Sequence, residues 1–279
     1  MLNTFLFIIV IGTIAVKFVF NECLLNLPEF QFSVKHTFMR NIILLLTLFT
    51  SGCTHKYFYP LTPNIPMHSG AGELTISGNY SFNDRIDGVE GQIGYAATDH
   101  LGLIGNFIYV KGVEDKVTDY GQGKMGEAGI GYFANRNKLH FAVYVGGGLG
   151  DQYHRYRSDS IGYYEADMNY NRIFIQPSIG FKSRIFESAF TTRFSRLDYS
   201  QVNSNIDPVL DPYNYDLVNL LNADRPYYLF EPALTIRIGS ERIKFQGNLG
   251  MMYELRDKGT FVRSAVSAGI YVRLGGRTQ

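Results

Sequence analysis

From Ala71 to Leu274 the sequence alternates apolar and polar side chains almost without pause. A period of two is the mark of a β-strand with two unlike faces. In Glu73–Phe82, Leu74, Ile76, Gly78, Tyr80 and Phe82 share one face, and Glu73, Thr75, Ser77, Asn79 and Ser81 share the other. Tyr228–Ile238 is the cleanest case, with Tyr228, Phe230, Leu234, Ile236 and Ile238 against Glu231, Ala233, Thr235 and Arg237. Further strands are read at Val89–Tyr95, Leu101–Val110 (both faces rather apolar), the glycine-rich Lys124–Phe133, Leu139–Gly150, Arg172–Lys182, Glu187–Tyr199 (less cleanly alternating), Arg242–Tyr253 and Phe261–Leu274. Pro177 and Pro232 fall inside these runs; proline removes a ladder hydrogen bond, so local bulges are expected there.

These runs predict an all-β fold of about ten strands, with eight as the shorter count, each roughly 10–12 residues long. The connections alternate in length. Ala97–His100, Ala134–Lys138, Ser183–Phe186 and Gly239–Glu241 are short, whereas Val113–Gln122, Asp151–Tyr170 and Ser200–Pro226 are long. The last of these carries a short helical pattern at Tyr215–Asn222. Tyr and Phe recur at strand ends (Tyr80, Phe82, Tyr95, Tyr132, Tyr228, Phe230, Tyr253), and 29 glycines ease the curvature of a closed sheet. An even strand number, short turns on one side and long loops on the other resemble the outer-membrane β-barrel superfamily, at the level of architecture. The resemblance implies a closed antiparallel up-and-down transmembrane barrel over 71–274, its apolar face toward lipid and its polar face inward. A soluble lipocalin-like barrel or sandwich, with the faces reversed, is the competing fold.

The chain ahead of the strands reads as targeting sequence. Met39–Cys53 holds a basic residue, an apolar run from Ile42 to Phe49, and the small residues Thr50, Ser51 and Gly52 before Cys53. The run is about half the roughly 20 residues that a spanning helix needs, so 39–52 reads as a secretory signal. The cysteine after Gly52 resembles the lipobox of bacterial lipoproteins, which implies lipidation at Cys53, although Thr50 stands where the family usually has Leu. Residues 1–38 carry a second, redundant apolar run and read as an over-extended start, with an inner-membrane anchor at 4–20 as the alternative. Residues 53–70, rich in proline, read as a lipid anchor and tether. On this reading the lipid lies in the inner leaflet of the outer membrane, the C-terminus returns to that side, and the long loops are extracellular. The implied partners are outer-membrane lipid and the barrel-assembly and lipoprotein-sorting machineries.

Several functions are disfavoured at this stage. A net charge of +1 gives no footprint for nucleic acid. The two cysteines, Cys23 and Cys53, leave the strand region without thiol chemistry. The His residues are scattered, so neither a metal site nor a cofactor is expected. The inward charges Glu73, Glu90, Glu127 and Glu231, with Arg172, Arg193, Arg237, Arg242, Lys244, Arg263 and Arg273, predict a salt-bridged network that locks the lumen. Their basic surplus leaves room for an anionic ligand at the mouth, and a narrow pore or ligand-binding barrel is the sharper alternative. His154 with Asp151, Asp159 or Asp167 is the one candidate base-and-orienter pair for a loop-rim enzyme acting on lipid or peptide. A structural or surface-interaction role through the long loops is the leading expectation.

Overall fold

A computed structural model describes residues 61–276 apart from 84–85, 116–118, 159–161, 211, 222–224 and 256–263. The signal at 39–52, Cys53, the segment 1–38, Asp159 and Arg263 therefore lie outside the described residues. The strands are β1 (Leu74–Asn83), β2 (Ile86–Ala96), β3 (Leu101–Asp115), β4 (Asp119–Arg136), β5 (Leu139–Ser158), β6 (Gly162–Lys182) and β7 (Phe186–Ser204). After helix α1 (Pro212–Leu221) come β8 (Tyr227–Gly239), β9 (Ile243–Met251), β10 (Tyr253–Glu254) and β11 (Ser264–Leu274). Neighbours in sequence pair antiparallel, and β1 pairs with β11 from Leu74↔Leu274 to Phe82↔Val266, which closes the sheet. The two-residue β10 continues β9 along β8 in unchanged register (Ala233↔Gly250, then Phe230↔Tyr253), so the wall is a closed 10-strand barrel.

The two faces separate as the alternation predicts. Ile76, Ile93, Phe107, Ile130, Val145, Ile173, Phe190, Phe245 and Ile270 point outward and are exposed, whereas Glu90, Glu127, Arg172, Arg193 and Arg237 point inward and are buried. A soluble barrel would have the reverse arrangement, because apolar burial is what stabilises it in water. Here the largest fully buried side chains are three arginines.

Three expectations need correction. First, the long loops Val113–Gln122 and Asp151–Tyr170 are mostly strand: β5 runs 20 residues and β6 runs 21, paired as far as Ser158↔Gly162. Alternation fades in this region because the hairpin's two faces no longer meet unlike surroundings, while the backbone ladder simply continues. Second, no bulge forms at the prolines. Ile175↔Phe194 and Ser178↔Thr191 keep one register across Pro177, and Thr192↔Pro232 stays in line. The register shifts lie instead at Asn169/Tyr170 and Val113/Asp115. The ladder lapses opposite Pro232, where Met252 separates β9 from β10. Third, residues 61–70 are not an external tether. Leu61 to Met67 are buried, and the segment runs through the barrel interior before β1 begins.

The expected helix is present as α1, one turn earlier than its apolar pattern suggests. Val218 and Leu221 pack into a cluster with Tyr164, Met168, Leu197, Tyr199, Tyr227, Leu229 and Leu61. That cluster fills the interior at the end bearing the long hairpins.

Candidate functional site

The interior is organised around the main chain of residues 62–68. Prolines 63 and 66 lack an N–H, so this stretch brings more acceptors than donors into the lumen. The wall supplies the donors. Gln92 Nε2 donates to the Thr62 carbonyl at 2.8 Å, and Gln176 Nε2 to that of Asn64 at 2.8 Å. Arg237 Nη2 donates to Ile65 O at 2.7 Å, and the Tyr271 hydroxyl to Pro66 O at 2.6 Å. Lys182 Nζ donates to Met67 O at 2.7 Å, and Asn135 Nδ2 to His68 O at 2.9 Å. The donors come from β2, β4, β6, β8 and β11, so the segment ties opposite sides of the barrel together. Five consecutive carbonyls, Asn64 to His68, are matched. Burial without such partners would cost roughly 1–3 kcal/mol per group.

Two ionic layers lie along this axis. In the layer nearer the long hairpins, Glu127 is approached by Arg172 Nη1 at 3.0 Å and by Arg193 Nη1 at 3.2 Å. Arg172 also pairs with Glu231 and donates to Ser195 Oγ at 2.8 Å. Arg193 donates Nε and Nη2 to Gln176 Oε1 at 3.0 and 2.7 Å, and its guanidinium lies 4.6 Å from the Phe174 ring centroid. In the layer nearer the short turns, Arg273 bridges Glu73 (3.1 Å) and Glu187 (2.7 Å). Glu187 also receives Arg237 at 3.4 Å and Lys244 at 3.9 Å. Arg237 covers the face of Tyr271 at 3.9 Å. Glu90 stands apart from both layers and accepts from the Thr62 hydroxyl.

Of the anticipated network, Glu73, Glu127, Glu231, Arg172, Arg193, Arg237, Lys244 and Arg273 are brought together in these layers, and Glu90 meets the threaded segment instead. Arg242 is a correction: it is exposed beside the β8–β9 turn, because the turn ends there and the next inward position is Lys244. Glu187, Gln176, Lys182 and Tyr271 were missed as members. Strand parity could have found Glu187, which shares a face of β7 with Arg193. The surplus of inward cations also acquires a different explanation. Arg237 and Lys182 meet backbone carbonyls of the threaded segment, and Lys244 meets the Arg184 carbonyl at 2.7 Å, so main-chain carbonyls supply the counterpart to the excess.

His154 and Asp151 do not assemble as a pair, and Asp159 lies outside the described residues. His154 lies on the inward parity of β5 with Gln152, whereas Asp151 lies on the outward parity, 3.4 Å from Lys124. Residues three apart on a strand face opposite ways. His154 pairs across the ladder with Ala166, and Asp167 is exposed on the outer face. Among the described residues no group of three or more His, Cys, Asp or Glu could hold a metal.

Comparison with known proteins gives barrels. No family model matches this sequence, and no curated protein matches it. Among solved structures, the translocator domain of the autotransporter NalP from Neisseria meningitidis is similar at 8% identity and TM-score 0.44, covering 86% of this chain and 96% of that one. A major outer membrane protein from Thermus thermophilus is similar at 9% identity and TM-score 0.37, covering 73% and 100%. The N-terminal β-barrel domain of Pseudomonas aeruginosa OprF is similar at 12% identity and TM-score 0.34, covering 74% and 99%. The likeness is one of barrel architecture.

Proposed function

We propose that the protein is an outer-membrane β-barrel of a Gram-negative cell envelope, closed along its axis, lipid-anchored at Cys53, and serving as a surface-interaction module through its long hairpins and α1. The observation that carries this reading is the polarity of the wall. Leu, Ile, Val and Phe cover the outside while Arg172, Arg193 and Arg237 are fully buried inside. A continuous exposed apolar belt is untenable in water, and a closed barrel leaves no unpaired backbone in lipid. Aromatic residues such as Tyr80, Tyr95, Tyr132 and Tyr228 on the outward face suit the girdles of such barrels.

A closed interior argues against transport, and the separation of His154 from Asp151 argues against rim catalysis. The hairpin face beyond the belt carries Lys111 over Tyr120 at 5.3 Å and Arg155 over Tyr163 at 4.0 Å. Tyr and Arg are residue types enriched where proteins meet. The test is fractionation with gel migration. The protein is expected in the outer-membrane fraction, soluble only with detergent, and to migrate differently before and after boiling. Recovery in the soluble fraction without detergent, with identical migration, would end the membrane reading. A mass spectrum of the mature N-terminus, acylated or free at Cys53, decides the anchor separately.

A further inference from the structure

The direction in which residues 61–70 cross the lumen fixes which side of the membrane the chain comes from. Leu61 belongs to the apolar cluster that fills the long-hairpin end, whose other members include Tyr164, Ala166 and Met168 of β6, Leu197 and Tyr199 of β7, and Val218 and Leu221 of α1. Thr62 then meets Glu90 and Gln92, and Asn64 Nδ2 reaches the Ile93 carbonyl at 2.8 Å. His68 O accepts from Asn135 beside the β4–β5 turn. Ser69 N donates to Glu73 Oε2 at 3.0 Å, and Ala71 N donates to Asp99 in the β2–β3 turn at 2.9 Å. Each step moves one level toward the short turns. The ten residue steps from Leu61 to Ala71 can span up to about 35 Å, enough for a hydrocarbon core of about 30 Å.

From this path we infer that the N-terminal segment crosses the membrane inside the barrel, so that Cys53 emerges on the long-hairpin side and its lipid anchors in the outer leaflet at the cell surface. The inference rests on the membrane reading above and reverses the inner-leaflet placement that the sequence alone suggests. Eight residue steps separate Cys53 from Leu61, at most about 28 Å of chain. A return to the short-turn side would have to pass through a lumen already filled by 61–70, or cross the hydrocarbon outside the wall. An extended chain in hydrocarbon leaves its N–H and C=O groups without partners. The N- and C-termini of the mature chain thus lie on opposite sides of the membrane, although β1 begins beside the end of β11. The anchored end must also be enclosed as the sheet closes, since acyl chains cannot be drawn through a packed lumen afterwards.

Single-cysteine labelling tests this in cells, because the only cysteines are Cys23, upstream of the mature start, and Cys53, whose thiol the lipid blocks. Three full-length variants, Tyr57→Cys, Val209→Cys and Lys138→Cys, are treated with a membrane-impermeant maleimide before and after outer-membrane permeabilisation. Only the heat-modifiable, folded species is scored. Val209 is a highly exposed residue beyond β7, and Lys138 lies in the β4–β5 turn. The expected result is labelling of Tyr57→Cys and Val209→Cys in intact cells, and of Lys138→Cys only after permeabilisation. Labelling of Tyr57→Cys only after permeabilisation, or in neither state, overturns the inference while Val209→Cys and Lys138→Cys still uphold the barrel's seat in the membrane. Loss of the contrast between those two controls overturns the membrane reading itself.

Discussion

Glu127 illustrates why the interior is sensitive to single substitutions. Its carboxylate faces two guanidiniums, Arg172 and Arg193, and all three side chains are fully buried. Removing the carboxylate leaves two buried cations short of their counter-charge, and breaking a buried pair in this way costs about 3–5 kcal/mol. Glu127→Ala should therefore lower the temperature of the folded-to-unfolded gel shift sharply, while Glu127→Gln, which keeps one acceptor oxygen for the two guanidiniums, should lose less. Equal midpoints for Glu127→Ala and the parent would show that the layer does not hold the barrel together. Glycines divide in a comparable way. A Cβ on Gly131 would run into the Val143 carbonyl and the Tyr144 ring, which lies over that position, whereas one on Gly126 meets nothing within 4 Å. Gly131→Ala should cost about 1–3 kcal/mol through overpacking, and Gly126→Ala close to nothing, by the same thermal assay. A larger loss at Gly126 would mean that chain flexibility, not the approach of Tyr144, decides the glycine.

At the scale of elements, alternation revealed β1, β2, β8 and β9 nearly to their ends, because there the two faces meet unlike surroundings. It under-read β5 and β6, whose outer halves carry Tyr153, Arg155, Tyr163 and Glu165 in pairs such as Arg155 with Glu165 at 3.7 Å. With Tyr, Arg and Glu on one face and His154, Tyr164 and Ala166 on the other, hydrophobicity no longer tracks the pleat. The threaded segment was illegible for a different reason. Its specificity resides in backbone carbonyls, which every sequence possesses, and only the paucity of N–H groups at Pro63 and Pro66 hints at it. Helix α1 was legible from its leucines, and its role follows from burial: Val218 is 4% exposed and Leu221 1%, both within the cluster at the long-hairpin end. Leu221→Asp places a charge in that cluster and should release α1. Limited proteolysis in detergent is expected to cut near α1 in the variant much faster than in the parent, with the barrel's heat-modifiable migration retained. Unchanged cleavage would mean that the helix is held by its connections alone.

For the whole molecule, the closed lumen and its charge balance lead to one functional expectation. The intact protein should be silent in planar bilayers, because the main chain of 62–68 occupies the axis and the Glu127–Arg172–Arg193–Glu231 layer crosses it. Replacing Thr62–His68 by a Gly/Ser linker of equal length removes the prolines and the apolar Ile65 and Met67 that hold the segment in place. Around the vacated space, the four cations Arg237, Arg273, Lys182 and Lys244 are paired with the carboxylates Glu73 and Glu187 and with main-chain carbonyls. Rings of basic side chains select anions. The linker variant, once shown to be folded by its gel shift, should open small conductances that favour chloride over potassium, since the upper ionic layer still narrows the path. The sign of the selectivity is the informative part. Cation preference would mean that the carboxylates dominate the short-turn half. A folded variant as silent as the parent would mean that the wall side chains alone close the barrel, leaving the threaded segment as a mechanical tie between β2, β4, β6, β8 and β11.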